Sequence, residues 1–275
     1  MKKILVPVDF SEKSMYATKL AARIAKKSDS EIHLLHMIEL PSGIIDMGAG
    51  SNFSIPSSMM YLRKVKEQII NFIDSYISKK TTVKYSIRFQ NPYEGIRDYG
   101  KKIGADLIVM GSKGVSDFEE ILIGSNTEKV VRRSEIPVIV VKKDADKFKI
   151  RNLVFASNFK DDNKESFQKF LAFSKNFKAK LHLLKVNTVE DFECTQASKD
   201  KIKNFLNDFD APKVTINIHN DTSVVNGILN FSNNVNADLI ALSTHGRSGL
   251  SHLFNSSVSK DLSKNVLRPL ITFKI

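Results

Sequence analysis

The sequence has little cysteine and no long apolar run. Its 275 residues contain one cysteine, Cys194, which excludes an internal disulfide and favours a reducing compartment. The apolar run near the amino terminus covers only residues 4–8 and ends at Asp9, so it is too short for the core of a signal peptide. No later run approaches the roughly 20 apolar residues that a membrane span needs. We therefore expect a cytoplasmic protein without a membrane partner.

Familiar catalytic and metal signatures are also missing. The sequence has no G-x-S-x-G elbow and no G-x-x-x-x-G-K-[ST] phosphate loop. His33 and His36 are three residues apart on a predicted strand and should face opposite sides of a sheet. His245 and His252 have no cysteine or carboxylate near them at ligand spacing. We predict neither a metal site nor catalytic residues, while an enzyme remains an alternative hypothesis.

The net charge of +12 permits two interpretations. A basic protein can bind a polyanion such as nucleic acid. Lysine far outnumbers arginine here, however, and the lysines are spread singly along helical segments. Arginine and interleaved aromatic residues, which nucleic-acid readers favour, are not clustered. We therefore favour a generally lysine-rich surface over a nucleic-acid partner.

The two halves of the chain repeat each other. Four pairs of segments correspond, in the same order along both halves: ILVPVDFS (4–11) with LVFASNFK (153–160), IHLLHM (32–37) with LHLLKV (181–186), GADLIVMGSKG (104–114) with NADLIALSTHG (236–246), and IPVIVVK (136–142) with RPLITFK (268–274). A period near 140 residues is too long for a solenoid repeat. The pattern predicts two domains of one type, at residues 1–144 and 149–275, called below the first half and the second half.

Short β-branched runs alternate with amphipathic segments within each half. This alternation predicts an α/β fold with right-handed crossovers and a parallel sheet whose strands are buried on both faces. In the first half we predict strands at 3–8, 32–37, 83–89, 107–110 and 138–141, and helices at 11–27, 58–79, 96–103 and 125–133. The irregular insert at 41–56 has no full counterpart in the second half and is predicted to be a mobile lid or a disordered loop.

Three glycines follow the predicted strand at 107–110 at fixed offsets, with two residues between the first pair and nine between the second. Gly111, Gly114 and Gly124 precede Ser125, which with Glu128 matches a helix capping box. A helix amino end presents free N–H groups and a positive dipole end, and nearby glycines let a phosphate approach the main chain. The alternative is that these glycines form only turns and a cap.

Four of these features together point to a known family. They are ILVPVDFS at the start, LLHM at the end of the second strand, ADLIVMGSKG, and the closing glycine–serine pair with its helix and PVIVV. The sequence resembles the universal stress protein family, and in its doubled form the tandem members of that family. The first half fits the G-x2-G-x9-G-[S/T] pattern of the ATP-binding members. The resemblance implies two doubly wound domains, each a five-stranded parallel sheet in the order 3-2-1-4-5 with helices on both faces, and ATP between strands 1 and 4.

The resemblance also implies roles for particular residues. Val8 and Asp9 would end the first strand near the ribose and phosphates, with Mg²⁺ as one option for bridging them. The Met37 main chain would meet the adenine edge, and Met110 and Gly111 would line the ribose. The remaining residues of the implied ATP site are those expected near the triphosphate: Lys113, Gly114, Gly124, Ser125 and Asn126.

The second half departs from this pattern. Asn158 stands in place of Asp9, Ser243 in place of Gly111, and Ser256 in place of Gly124. An amide lacks the negative charge that a metal ion prefers, and two added side chains would crowd the phosphates. We predict that this second site is weak or empty.

The function implied by the resemblance is that of an ATP-binding regulatory protein of the stress response, with little or no hydrolysis. The alternative is a nucleotide-independent scaffold that presents paired domains to another protein. We expect the last strands of the two halves to pair as an internal pseudo-dimer, and we also expect a homodimer and a protein partner of unknown identity.

Overall fold

Each half of the chain alternates strands with helices. The computed structural model describes residues 1–38, 55–112, 124–144, 148–244 and 268–275. The first half contains β1 (Lys3–Val8), α1 (Glu12–Ser28), β2 (Glu31–Ile38), α2 (Ile55–Tyr76), β3 (Val83–Phe89), α3 (Pro92–Ile103), β4 (Leu107–Gly111), α4 (Ser125–Arg133) and β5 (Val138–Val141). The second half contains β6 (Asn152–Ala156), α5 (Lys164–Ser174), β7 (Lys180–Asn187), α6 (Thr195–Leu206), β8 (Val214–Asn220), α7 (Val224–Asn234), β9 (Leu239–Thr244) and β10 (Leu270–Lys274).

The strands form one sheet in the order β3-β2-β1-β4-β5-β10-β9-β6-β7-β8. Neighbouring strands within each half are parallel, and each half has the expected order 3-2-1-4-5. Strands β5 and β10 are antiparallel, with Leu270 opposite Val140 and Thr272 opposite Val138. The predicted α/β fold and the pairing of the last strands are thus confirmed.

The five predicted strands of the first half agree with the structure to within one residue at either end. The central strands are easy to locate in the sequence, because a strand that is covered on both faces is a nearly continuous apolar run. All four residues of β5 are buried, for example. Strand β2 is one residue longer at each end than predicted, and β4 extends to Gly111.

The helix boundaries differ more from the predictions. Helix α1 begins at Glu12 because the Ser11 side chain accepts a hydrogen bond from the Ser14 amide at 3.2 Å. Helix α2 begins and ends three residues earlier than the predicted 58–79. Helix α3 begins at Pro92, four residues before the predicted start, because the Asn91 side chain caps it and proline suits its first turn.

Two apolar layers, one on each face of the sheet, run through both halves. One layer packs beneath α1, α2, α5 and α6, and the other beneath α3, α4 and α7. Successive strand residues alternate between the layers, so Ile4 and Val6 belong to the first layer and Leu5 to the second. In the second half, aromatic rings fill the first layer, with Phe155 and Phe167 at a ring distance of 5.1 Å.

The order of the strands creates a crevice in the first half. After β1 the chain moves to β2 on one side, and it later returns to β4 on the other side. In open α/β sheets this reversal separates the loops at the carboxyl ends of the two central strands, and ligands bind there. The carboxyl ends of β1 and β4 therefore define the place of the candidate site.

Candidate functional site

The carboxyl ends of β1, β2 and β4 and the amino end of α4 bring eight of the ten expected site residues towards one edge of the sheet. Strands β1 and β4 are parallel neighbours, so Val8 and Asp9 at the end of β1 lie on the same edge as Met110 and Gly111 at the end of β4. Met37 is near the end of β2, the other neighbour of β1. Helix α4 also begins at this edge, with Gly124 at its capping position.

Two hydrogen bonds hold α4 against β4. The Gly124 amide donates to the main-chain oxygen of Ser112 at 2.7 Å. The Thr127 hydroxyl donates to the main-chain oxygen of Gly111 at 3.0 Å. Both Ser112 and Thr127 are buried. These bonds fix the position of the first turn of α4, which carries Ser125 and Asn126.

The predicted capping box at Ser125 is wrong by one residue. Gly124 is the capping position, and no side chain caps the helix there. Ser125 is already helical, and the Glu128 amide donates to the Gly124 oxygen at 2.9 Å. The Glu128 carboxylate pairs instead with Arg132 one turn later, at 3.3 Å. Because the first amides of a helix have no acceptor within it, a glycine cap leaves them to outside acceptors.

Gly111 has a packing role that the sequence did not reveal. A Cβ atom at this position would lie 2.7 Å from the main-chain carbon of Lys13 and 2.9 Å from its main-chain oxygen. Real Cβ contacts are not that short, and main-chain atoms cannot move aside cheaply. Gly111 therefore allows the first turn of α1 to lie directly on β4.

Asp9 is exposed and anchored at the turn between β1 and α1. Its Oδ1 atom accepts a hydrogen bond from the Ser11 amide at 3.0 Å. Phe10 follows it with a φ of 63°, a left-handed conformation that is uncommon for a residue with a side chain. The Phe10 ring lies 4.7 Å from the His36 ring and 5.8 Å from the Phe72 ring, which holds the turn in place.

Met37 packs its side chain away from the crevice. Its Cε and Sδ atoms lie where a Cβ of Gly95 in α3 would be, at 2.2 and 2.7 Å from that position. The β1–β2 ladder ends at the pairing of Val8 with His36, one residue before Met37. The main chain of Met37 follows this last pair, at the edge of the sheet where β1 ends.

Some expected residues fall outside the described part of the chain. Lys113 and Gly114 belong to that group, as do the acidic residues of the segment between Gly114 and Gly124. The predicted lid at 41–56 lies outside it as well, apart from residues 55–56, which belong to α2.

His33 and His36 face opposite sides of the sheet, as predicted. His33 is buried against α3, where its Nε2 atom contacts Glu31 at 2.8 Å, whereas the Nδ1 atom of His36 contacts the Val8 oxygen at 2.8 Å. Lys84 and then His33 lower the pKa of Glu31 to about 2. Within the described ranges, no three histidine, cysteine or acidic side chains form a group that could hold a metal ion.

Comparison with known proteins identifies the fold. A model described as the universal stress protein family matches residues 1–142 and again residues 149–274. The chain belongs to the universal stress protein family. Universal stress protein MJ0531 of Methanocaldococcus jannaschii is 30% identical over 148 residues, which cover 52% of this chain and 82% of that protein. Universal stress protein MJ0577 of the same organism is 32% identical over 155 residues, covering 52% of this chain and 95% of that protein.

A solved universal stress protein has the doubled arrangement. The crystal structure from Archaeoglobus fulgidus covers 99% of this chain, and the match covers 96% of that protein, with a TM-score of 0.70. The two sequences are 20% identical, so this match supports the fold alone. Across the described ranges, no helix of this universal stress protein is long and apolar enough to span a membrane.

The second half of this universal stress protein forms the same turn after β6 with a neutral side chain. Asn158 accepts hydrogen bonds at its Oδ1 atom from the Lys160 amide at 3.2 Å and from the Asn163 side chain at 3.0 Å. Phe159 repeats the left-handed conformation of Phe10, with a φ of 53°. The turn is therefore kept, while the carboxylate of Asp9 is replaced by an amide that is bonded within the turn.

A buried lysine occupies the second half where the first half has His36. The strand registers of the two halves match, so Lys185 in β7 corresponds to His36 in β2. The Lys185 side chain is 3% exposed, and its Nζ atom lies 2.6 Å from Asn187 Oδ1 and 3.1 Å from Glu193 Oε2. Lys201 of α6 binds the other Glu193 oxygen at 3.2 Å.

The Lys185–Glu193 network crosses the carboxyl end of β7. The Asn187 side chain also donates to the main-chain oxygen of Glu193, at 2.9 Å, and Ser198 of α6 donates to its carboxylate at 3.2 Å. Hydrogen bonds from Lys185 and then from Lys201 lower the pKa of Glu193. The only local signal of this network in the sequence is LLKV in place of LLHM, which does not reveal the partners of Lys185.

Proposed function

We propose that the first half binds ATP and that the chain is a nucleotide-dependent regulatory protein of the stress response, with little or no hydrolysis. One observation carries the proposal. The first turn of α4, capped by a glycine without a side chain, is fixed beside the carboxyl ends of β1 and β4. Such a helix end, next to a topological switch point, is well suited to a phosphate group.

The phosphate donors in this proposal begin at Ser125. The Gly124 amide is already used by Ser112, so the amides of Ser125 and Asn126 are the first that can serve a ligand. The role of Gly124 is then to leave space in front of these amides. Gly114 and Lys113 would complete the phosphate contacts, as the family pattern implies.

Asp9 and Met37 would receive the nucleoside. The Ser11 amide occupies one Asp9 oxygen, which leaves the carboxylate able to bind a ribose hydroxyl or a Mg²⁺ ion held by the phosphates. The Met37 main chain would meet the adenine edge, with Val8, Met110 and Gly111 beside the sugar. These contacts are main-chain donors and one anchored carboxylate, so we infer binding rather than turnover.

The same reasoning predicts one nucleotide for each chain. The second half lacks a carboxylate at Asn158, and the Lys185–Glu193 network ties down the end of β7. The first half instead has the Asp9 carboxylate, and His36 stands in the place of Lys185 near the end of β2. We also propose that the chain forms a homodimer and has a protein partner, for which sedimentation of the purified chain is the first measurement.

Nucleotide content and titration test the proposal. The full chain is purified, denatured, and the released small molecules are identified by mass spectrometry. The nucleotide-free chain is then titrated with ATP by calorimetry, with and without Mg²⁺, and phosphate release is followed. We expect about one ATP for each chain and phosphate release close to background. If no nucleotide is retained and ATP fails to bind at about 1 mM, the nucleotide-independent scaffold is the better assignment.

A further inference from the structure

A cavity of about 220 Å³ opens between α3 and α4. Its walls come from one stripe of α3 and from the last turn of α4. Ala105 and Ile136, which precede β4 and β5, form the end nearest the amino ends of these strands, called here the lower end; the opposite end, at Tyr93, is the upper end. This position is on the face opposite α1 and extends towards the amino ends of the strands. The cavity, called here the α3–α4 groove, is thus separate from the proposed ATP site.

The floor of the groove is apolar and its upper end is basic. Ile96 and Val130 are both buried and come from the two facing helices. At the upper end Arg97 and Arg133 flank the Tyr93 ring, with guanidinium carbons 5.8 and 5.7 Å from the ring centre. An apolar floor with a few convergent polar groups is the usual character of a small-molecule site.

The two arginines differ in their partners. The Nε atom of Arg97 donates to Asp98 at 2.9 Å, and this contact is exposed. No carboxylate in the described part of the chain pairs with Arg133, whose contact is with the Tyr93 ring. At the lower end, Lys101 and Glu135 are 3.7 Å apart and balance each other. The upper end of the groove therefore carries an excess of positive charge.

Size and charge together define the ligand class. Pockets for drug-sized molecules measure about 300–1,000 Å³, so this groove suits a smaller molecule. We propose that the α3–α4 groove binds a small organic anion, with its carboxylate between Arg97 and Arg133 and its apolar body along Ile96 and Val130. Arginine suits the carboxylate because its planar fork can donate two parallel hydrogen bonds.

The test uses one anion and its neutral counterpart. The full chain, labelled with ¹⁵N and free of nucleotide, is titrated with 2-naphthoate and separately with 2-naphthamide. We expect saturable shifts of the Gly100 and Gly104 amide signals with naphthoate, at a dissociation constant on the order of 1 mM. Naphthamide should bind at least about tenfold more weakly, because its single carbonyl oxygen carries no charge and cannot accept the two parallel bonds of an arginine–carboxylate pair. Equal binding of both probes, or no saturable shift, overturns the proposal.

Two charge reversals on α4 provide the matched comparison. Arg133→Glu removes a groove cation, whereas Lys129→Glu makes the same change in charge at an exposed position outside the groove. Naphthoate binding should weaken about tenfold in the first variant and stay within about twofold in the second. An equal loss in both would mean that only overall charge attracts the probe. ATP titration of both variants is a separate readout, so failure here leaves the nucleotide proposal untouched.

Discussion

The Thr127 hydroxyl and the main-chain oxygen of Gly111 are 3.0 Å apart, and their hydrogen bond joins the first turn of α4 to the end of β4. Thr127 is buried, with 4% of its surface exposed, and Gly111 is half-buried. The bond therefore affects both the stability of the fold and the geometry of the proposed phosphate site. These two effects can be measured separately.

Replacing Thr127 by valine should weaken both properties. Valine keeps the shape of threonine but leaves the Gly111 oxygen without this donor, which should lower the free energy of unfolding by about 1–3 kcal/mol. ATP affinity should fall as well, because the first turn of α4 loses one of its two ties to β4. Denaturant unfolding and calorimetry give the two values. Thr127→Ser, which keeps the hydroxyl, should retain most of the ATP affinity; an equal loss there would mean that packing rather than this bond matters.

Gly124→Asp and Gly124→Asn separate charge from folding. The backbone at Gly124, with φ −60° and ψ 144°, suits a side chain, and both substitutes are good helix caps. Each variant should therefore fold at least as well as the parent chain in a thermal melt. The aspartate should nevertheless abolish ATP binding by repelling phosphate, while the asparagine should bind more weakly than the parent but measurably. If aspartate and asparagine bind ATP equally well, the phosphates do not lie at this helix end.

Glu193→Gln should destabilise the second half. The change removes the carboxylate that neutralises the buried Lys185, and we expect a loss of about 1–3 kcal/mol, less than for a fully buried pair because Glu193 is 32% exposed. The control is Glu165→Gln, which breaks an exposed pair with Lys169 and should leave stability unchanged within error. Equal losses of stability in the two variants would mean that the Lys185 network stabilises the fold no more than an exposed ion pair does.

The same network predicts a pH dependence. Because its partners lower the pKa of Glu193 in the folded chain, the unfolded chain binds this proton more readily. The stabilisation is complete above the ordinary carboxyl pKa of 4.5 and is lost as the pH falls through the lower value in the folded chain. Unfolding curves should show this loss in the parent chain and a smaller one in Glu193→Gln.

The sequence predicts the sheet better than the helix ends. The predicted bounds of β1, β3 and β5 match the structure to the residue, and a polar residue follows each of these strands. The apolar period that begins at Ile96 does not reach the start of α3, where Asn91 and Pro92 form the capping signal. At α4 the rule that serine caps helices favoured Ser125 over Gly124, which the structure makes the cap.

The parts of the site that escaped prediction depend on distant contacts. The resemblance implies that Gly111 lines the ribose, whereas its contact with Lys13 appears only once α1 lies on β4. The partners of Lys185 include Glu193 in the following connection and, through it, Lys201 of α6. No local pattern specifies such contacts, because the connection between a strand and a helix can bend in many ways.

The antiparallel junction of β5 with β10 has a consequence for how the molecule presents its surfaces. Since all other neighbouring strands are parallel, the strands of one half point opposite to those of the other. The proposed ATP crevice and the Lys185 network consequently open on opposite rims of the continuous sheet. The lower end of the α3–α4 groove lies towards the rim of the lysine network. A partner approaching from one rim would meet the proposed nucleotide site, and a partner approaching from the other would meet the Lys185 network.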